Sequence, residues 1–144
     1  MRLDLDCVRD ILFCVEENTN LRKRCFFVDS GLVEAAHFCG NDVDIPPYQS
    51  SLLNKYENDI LIYHVHYCLS ADLIVGMEDS DEYQIWIADL SPKGHEFLSN
   101  IRANSNWEET KKIGSKVGAF GLNMAAKIAE GVATASIKQM LSLP

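Results

Sequence analysis

Hydrophobic positions recur at helical spacing from Leu3 to Glu17, where Leu5, Val8, Ile11, Leu12 and Val15 share one stripe and predict a first helix. Asp4 and Asp6 stand at its start, where carboxylates suit the positive end of the helix dipole, and Asn18-Thr19-Asn20 ends it. The strongest pattern begins at Ile60. Leu61, Val65, Cys68 and Leu69 line one face of a long helix, Ser70 and Asp72 break it, and Leu73-Ile74 open a β-prone run. Ahead of it, Gln49 to Tyr56 predicts a short helix with Ser50 or Ser51 near its start and Leu52, Leu53 and Tyr56 as burial candidates. Asn58 or Asp59 is placed to cap the long helix. Beyond it, Val75-Gly76-Met77 leads through the acidic turn Glu78-Asp79-Ser80-Asp81-Glu82 into a run alternating Tyr83, Ile85 and Ile87 against Gln84 and Trp86. A period of two marks a strand with one buried face, so the two runs predict a β-hairpin.

Ser91-Pro92-Lys93-Gly94 starts another helix, because proline at a first helical position lacks only an amide hydrogen that has no partner there. His95, Leu98 and Arg102 follow at helical spacing beside Phe97 and Ile101; Asn104-Ser105-Asn106 then interrupts the pattern before Trp107 to Lys116. Gly114, Gly118 and Gly121 mark a joint, and Leu122 to Leu141 predicts a final helix rich in small residues. Between Leu21 and Pro47 no period holds. Arg22-Lys23-Arg24 precedes Cys25-Phe26-Phe27-Val28, a short strand candidate; Leu32 to Phe38 is a short helix candidate; Gly40-Asn41-Asp42 and Pro46-Pro47 read as loop. The expected fold is α+β: a winged helix-turn-helix over residues 1–112 with an irregular insertion at 21–47, a β-hairpin wing, and additional C-terminal helices in an extension over 113–144.

A chain of 144 residues, 47% hydrophobic and 24% charged, has the composition of an ordinary globular domain. Its net charge of -8 repels phosphate backbones, so a nucleic-acid role must rest on a local basic patch. Cys7, Cys14, Cys25, Cys39 and Cys68 form an odd set without a Cys-x-x-Cys pair, and the opening Met1-Arg2-Leu3-Asp4-Leu5-Asp6 lacks the apolar core of a secretory leader. The expectation is a cytoplasmic protein whose thiols, Cys7 and Cys14 above all, pack as small hydrophobes. Lys127, Glu130 and Lys138 make the last helix too polar for a membrane span.

The run from Leu90-Ser91-Pro92-Lys93-Gly94-His95-Glu96-Phe97-Leu98 to Ile101-Arg102, followed by Trp107 and Thr110-Lys111, resembles the domain-of-unknown-function family number 2513, found in bacteria and their phages. Val8-Arg9-Asp10-Ile11-Leu12, Tyr63-His64-Val65 and Leu73-Ile74 resemble the opening and third helices of that family, whereas residues 22–47 depart from its pattern. The resemblance implies a winged-helix fold and a bacterial or prophage origin. It carries no activity with it.

His64, His66 and Cys68 have the look of a metal triad, yet residues two apart on a helix point about 200° apart, which separates His66 from the other two. His37 and Cys39 add no ligand spacing. His95 and Glu96 are adjacent on a helix, face different directions and lack a nucleophile, so no metal, cofactor or catalytic residue is assigned and no enzyme is expected. Two binding roles remain. A transcriptional regulator would lay its third helix in the major groove of double-stranded DNA, reading bases with Asn58, Ile62, Tyr63, His66 and Tyr67 as the exposed positions. No lysine or arginine lies between Glu57 and Asp72 and the wing tip is acidic, which leaves Arg22, Lys23 and Arg24, and further along Lys111, Lys112 and Lys116, as the basic contacts. The commonest use of the architecture favours the regulator. The charge pattern favours a protein-interaction module, with Ile62, Tyr63 and Tyr67 as its contact surface and the C-terminal helix pairing into a homo-oligomer.

Overall fold

The computed structural model describes residues 1–32, 44–118 and 120–142. Helix α1 (Leu5–Asn18) starts where Asp4 Oδ1 accepts the Cys7 amide at 3.2 Å. It buries Leu5, Cys7, Val8, Ile11, Leu12, Cys14 and Val15, the stripe its period predicts. Strand β1 (Cys25–Val28) follows a tight turn in which Asn20 and Lys23 exchange backbone bonds and Asn20 Oδ1 accepts the amides of Arg22 and Lys23, each at 2.8 Å. Residues 30–32 are helical; the rest of the helix expected from Leu32 to Phe38, the 40–42 loop, His37 and Cys39 lie outside the described residues.

Helix α2 (Pro47–Leu53) begins earlier than Ser50, with Pro47 in its first turn, so the Pro46-Pro47 pair expected as loop is instead a helix start. Its serines bond back to carbonyls four residues earlier, Ser50 to Pro46 and Ser51 to Pro47. Tyr56 is buried beyond its end, while Leu52 and Leu53 are half-buried. Helix α3 (Asn58–Ser70) is preceded by Glu57 at the cap position, without a side-chain cap bond. The cap expected from Asn58 or Asp59 fails because Asn58 is already helical and its carboxamide is engaged elsewhere: Oδ1 accepts the Ser30 amide at 2.8 Å and Nδ2 donates to Asp29 Oδ1 at 3.0 Å. At the other end the Leu73 amide reaches Cys68 O and the Asp72 amide reaches Leu69 O, closing the helix with Asp72 in the left-handed region at φ 58°.

Strand β2 (Ile74–Gly76) pairs antiparallel with β3 (Gln84–Leu90), forming the expected hairpin with a register shift between Val75 and Gly76. Strand β3 also pairs antiparallel with β1, Cys25 facing Ile87 and Val28 facing Gln84, giving a three-stranded sheet of order β1-β3-β2. Ile85 and Ile87 enter the core together with Cys25 and Phe27. The open edge of β1 is closed by side chains from α2. Tyr48 OH donates to Phe26 O at 2.6 Å and accepts the Phe26 amide at 2.8 Å; Gln49 Nε2 donates to Val28 O at 2.6 Å while its Oε1 accepts the Val28 amide at 2.8 Å. A helix thus supplies the bonds of a missing strand and keeps a fourth strand from adding there.

Helix α4 (Pro92–Ile101) begins under Ser91, whose Oγ accepts the Gly94 amide at 2.9 Å and donates to Asp72 O. A Cβ on Gly94 would lie 1.9 Å from Leu73 O, so only glycine permits this approach. The chain divides into two compact units, residues 1–94 and 95–144, and the second contains helix α5 (Asn104–Val117). In the second unit α5 packs along helix α6 (Leu122–Ser142), with Trp107, Thr110, Gly114, Leu122, Ala125 and Ala129 buried. Ser136 Oγ donates to Asn106 Oδ1 at 3.2 Å, which sets the start of α5 beside the last third of α6. The fold is α+β with a small antiparallel sheet, and among the described residues no helix is long and apolar enough to cross a membrane.

Candidate interaction surfaces

Helix α3 turns Leu61, Ile62, His64, Val65 and Cys68 inward. Ile62, expected among the exposed positions, is 7% exposed, because the arc that α3 buries is wider than the stripe of Leu61, Val65 and Cys68. The buried His64 is a structural residue. Its Nε2 accepts the Asp4 amide at 2.8 Å and its Nδ1 stands 2.7 Å from Ile60 O, an arrangement that places the ring proton on Nδ1 and ties the start of α1 to α3. His66 is exposed and Cys68 fully buried, so the three do not converge. Among the described residues no group of three or more His, Cys, Asp or Glu is arranged to hold a metal ion.

Asp59, Tyr63, His66 and Ser70 form the exposed face of α3 at helical spacing, with Tyr67 half-buried on its flank. Tyr63 is 41% exposed and its ring meets the edge of His64 at 5.2 Å between centroids. Burial raises the Tyr67 hydroxyl above its usual range, with Cys68 and Tyr63 adding to the effect. Asn58, half-buried and bonded to Ser30 and Asp29, spends its amide on joining α3 to the end of β1.

That joint fixes the relation of the two charged segments. Val28 and Gln84 lie at the end of the sheet nearest the hairpin tip, which is also where α3 begins. The tip is a built structure: Asp81 Oδ1 accepts the amides of Tyr83 and Gln84, and Ser80 Oγ accepts that of Trp86 at 2.9 Å. Glu78, Asp79, Asp81 and Glu82 are all exposed there. Arg22, Lys23 and Arg24 enter the sheet at the opposite end, before Cys25, and all three are exposed. The fold therefore separates the basic turn from the start of α3 and puts the acidic tip beside that start instead. In the second unit, Lys111 pairs with Glu108 at 3.2 Å and lies over the Trp107 ring, while Lys112 and Lys116 are exposed.

One feature escaped the sequence patterns. It is the polar joint of Asp10, whose Oδ2 accepts from Tyr56 OH at 2.6 Å and from Lys55 Nζ at 2.7 Å, bringing α1 to the segment after α2. Burial and that carboxylate push the Tyr56 hydroxyl far above its usual range. The described thiols are as expected: Cys7, Cys14, Cys25 and Cys68 are free and buried, and burial pushes Cys7, Cys14 and Cys25 from the usual 9.0 up to about 12 and raises Cys68 further still. They sit as small hydrophobes, not as nucleophiles.

The described surfaces of this α+β protein thus include a helix face that carries Tyr63 and no lysine or arginine, an acidic hairpin and a basic turn. The chain belongs to the family described as Hypothetical protein (DUF2513), which matches residues 2–120. No curated protein and no solved structure matches it.

Proposed function

We propose that residues 1–94 are a winged helix-turn-helix and that this domain works as a protein-interaction module, binding a partner through α3 without catalysing a reaction. The order α1-β1-α2-α3-β2-β3 with strand order β1-β3-β2 supports the architecture, β2 and β3 taking the place of the wing. The observation that carries the function is the exposed face of α3. Asp59, Tyr63, His66 and Ser70 include no lysine or arginine, and the adjoining tip adds carboxylates, so a phosphate backbone is repelled where a winged helix ordinarily meets DNA. Tyrosines beside a helix face, rimmed by charge, suit a protein interface. The carboxylates call for a partner with a basic rim. Four free thiols agree with a cytoplasmic setting.

The test is a photo-crosslinking amino acid in place of Tyr63 in the intact protein, expressed in its own cell, with the same group at Glu108 as the control. A protein adduct specific to position 63 and lost with His66→Asp supports the reading. Adducts to DNA at position 63 would reject it.

A second reading, a regulator binding double-stranded DNA, is favoured by the exposed Arg22-Lys23-Arg24 turn, whose side chains no ion pair among the described residues ties down. Duplex binding at low salt, lost in the triple alanine variant of that turn, separates it from the first. Pairing of two copies through α6 is supported by its exposed Ile137, Met140 and Leu141, and light scattering over a dilution series reads it directly.

A further inference from the structure

The sheet face opposite the α1 and α3 core carries what the α3 surface lacks. Strand alternation sends Cys25, Phe27, Ile85 and Ile87 inward and leaves Phe26 and Trp86 on the other side, where they are cross-strand partners and half-buried. Their rings meet at 4.7 Å between centroids, tilted by 37°. Ala88, also half-buried, follows Trp86 on this face and presents little bulk. Arg24 stands immediately ahead of β1, two residues before Phe26, and the turn closed by Asn20 holds Arg22 and Lys23 just beyond. The acidic hairpin tip leaves the sheet at the opposite end, past Gln84. One face thus runs from an aromatic pair to three exposed cations, away from the carboxylates.

We propose that this face binds single-stranded nucleic acid, one or two bases stacking against Trp86 and Phe26 while the following phosphates reach Arg24, Lys23 and Arg22. A base offers a flat π surface to an indole whatever its identity, and only an unpaired strand can turn its bases out onto a protein ring. A duplex keeps its bases stacked inside and would meet the three cations alone. An acidic peptide would use the cations and leave the rings without a planar partner. The charge order also sets the direction, since a strand leaving the rings toward the tip would meet Glu78, Asp79, Asp81 and Glu82. This face is separate from the exposed face of α3, and its binding is independent of the function proposed above.

Trp86 makes the test direct, because the other tryptophan, Trp107, is 1% exposed and contributes a constant background. The intact protein is titrated at low salt with an unlabelled thymidine oligonucleotide of about ten nucleotides while its emission is followed, and with the labelled oligonucleotide by anisotropy. Saturable quenching is expected. Affinity should fall about twenty-fold from roughly 50 to 200 mM salt, as for three phosphate contacts on a single strand. Trp86→Phe should keep binding and lose the quenching, Trp86→Ala should weaken binding about tenfold, and the triple alanine variant at Arg22, Lys23 and Arg24, all on the exposed turn, should weaken it at least as much. Tyr63→Ala should leave it unchanged. Absence of binding at low salt overturns the proposal. So does quenching that persists in Trp86→Phe, or a duplex bound as tightly as the single strand with Trp86 silent; this last outcome would assign the basic turn to duplex contact.

Discussion

Replacing Gln49 by alanine should unfold this protein more readily than any exposed substitution on the same helix. The Gln49 side chain is fully buried, and its amide both accepts from and donates to Val28, at 2.8 and 2.6 Å, on the strand edge that no other strand covers among the described residues. Alanine removes both bonds and leaves a buried N–H and a buried C=O without partners. Each such group costs about 1–3 kcal/mol, so the pair costs about 2–6 kcal/mol. The middle of that range is a large share of the ~5–15 kcal/mol that stabilises a typical domain. Tyr48→Phe is the internal control. It deletes a hydroxyl bonded to Phe26 on the same edge, but the site is part-buried and water can replace the bonds, so about 1 kcal/mol is expected. Gln49→Glu sharpens the test. As an acid the carboxyl reproduces both bonds, whereas ionised it faces Val28 O with a negative charge, so its folded pKa lies above the usual ~4.3. A raised pKa gives stability that is present below the unfolded value and lost as pH rises through the folded one. The variant should therefore match the parent near pH 4 and fall behind it toward neutrality. Urea unfolding followed by circular dichroism gives the free energies, and hydrogen exchange of the Val28 amide reports the edge itself. A loss below about 1 kcal/mol for Gln49→Ala, or equal costs for Gln49→Ala and Tyr48→Phe, would refute the account of the closed edge.

Gly94→Ala should cost about 3 kcal/mol or more, because its Cβ would overlap a backbone oxygen that cannot swing aside, Leu73 O at 1.9 Å; thermal unfolding of the purified variant measures this. Tyr56→Phe should cost about 2 kcal/mol by removing a bond to the Asp10 carboxylate, and Lys55→Ala under about 1 kcal/mol, since the lysine side chain is 62% exposed; a double-mutant cycle in urea separates the two. In the native protein Cys7, Cys14, Cys25 and Cys68 should react slowly with a thiol reagent at pH 8 and become reactive on unfolding, read residue by residue by mass spectrometry. Because burial raises Cys7, Cys14 and Cys25 from 9.0 to about 12, unfolded thiols ionise first, and stability should decline above pH 9 by about 1 kcal/mol per thiol at pH 10. Urea midpoints that stay level from pH 8 to about 10 would contradict the burial.

Helices α1 and α3, strand β3 and the Ser91-Pro92 start were legible because each is set by neighbours within a few residues: a 3.6 or 2.0 period, a break, a cap. The hairpin followed from two such runs and a turn of acids. Family membership, too, was readable from the Ser91-Pro92-Lys93-Gly94-His95 run and its later tryptophan. Other assignments depended on residues far along the chain. Ile62 reads as exposed on a helical wheel and is buried because α3 fills a wide arc against its neighbours. Asn58 reads as a cap or a base-reading amide and instead holds Asp29 and Ser30, residues nearly thirty positions away. Gln49 is not among the burial candidates that its own helix offers, and it is buried because Val28 needs a partner. Charge shows the same division. The sequence by itself determined that Arg22, Lys23 and Arg24 are the basic cluster of an acidic chain and that the tip is acidic. Only the tertiary structure decided that they lie at opposite ends of one sheet, with the acids beside α3 and an aromatic pair beside the cations, because strand register relates residues sixty positions apart and no local pattern encodes it.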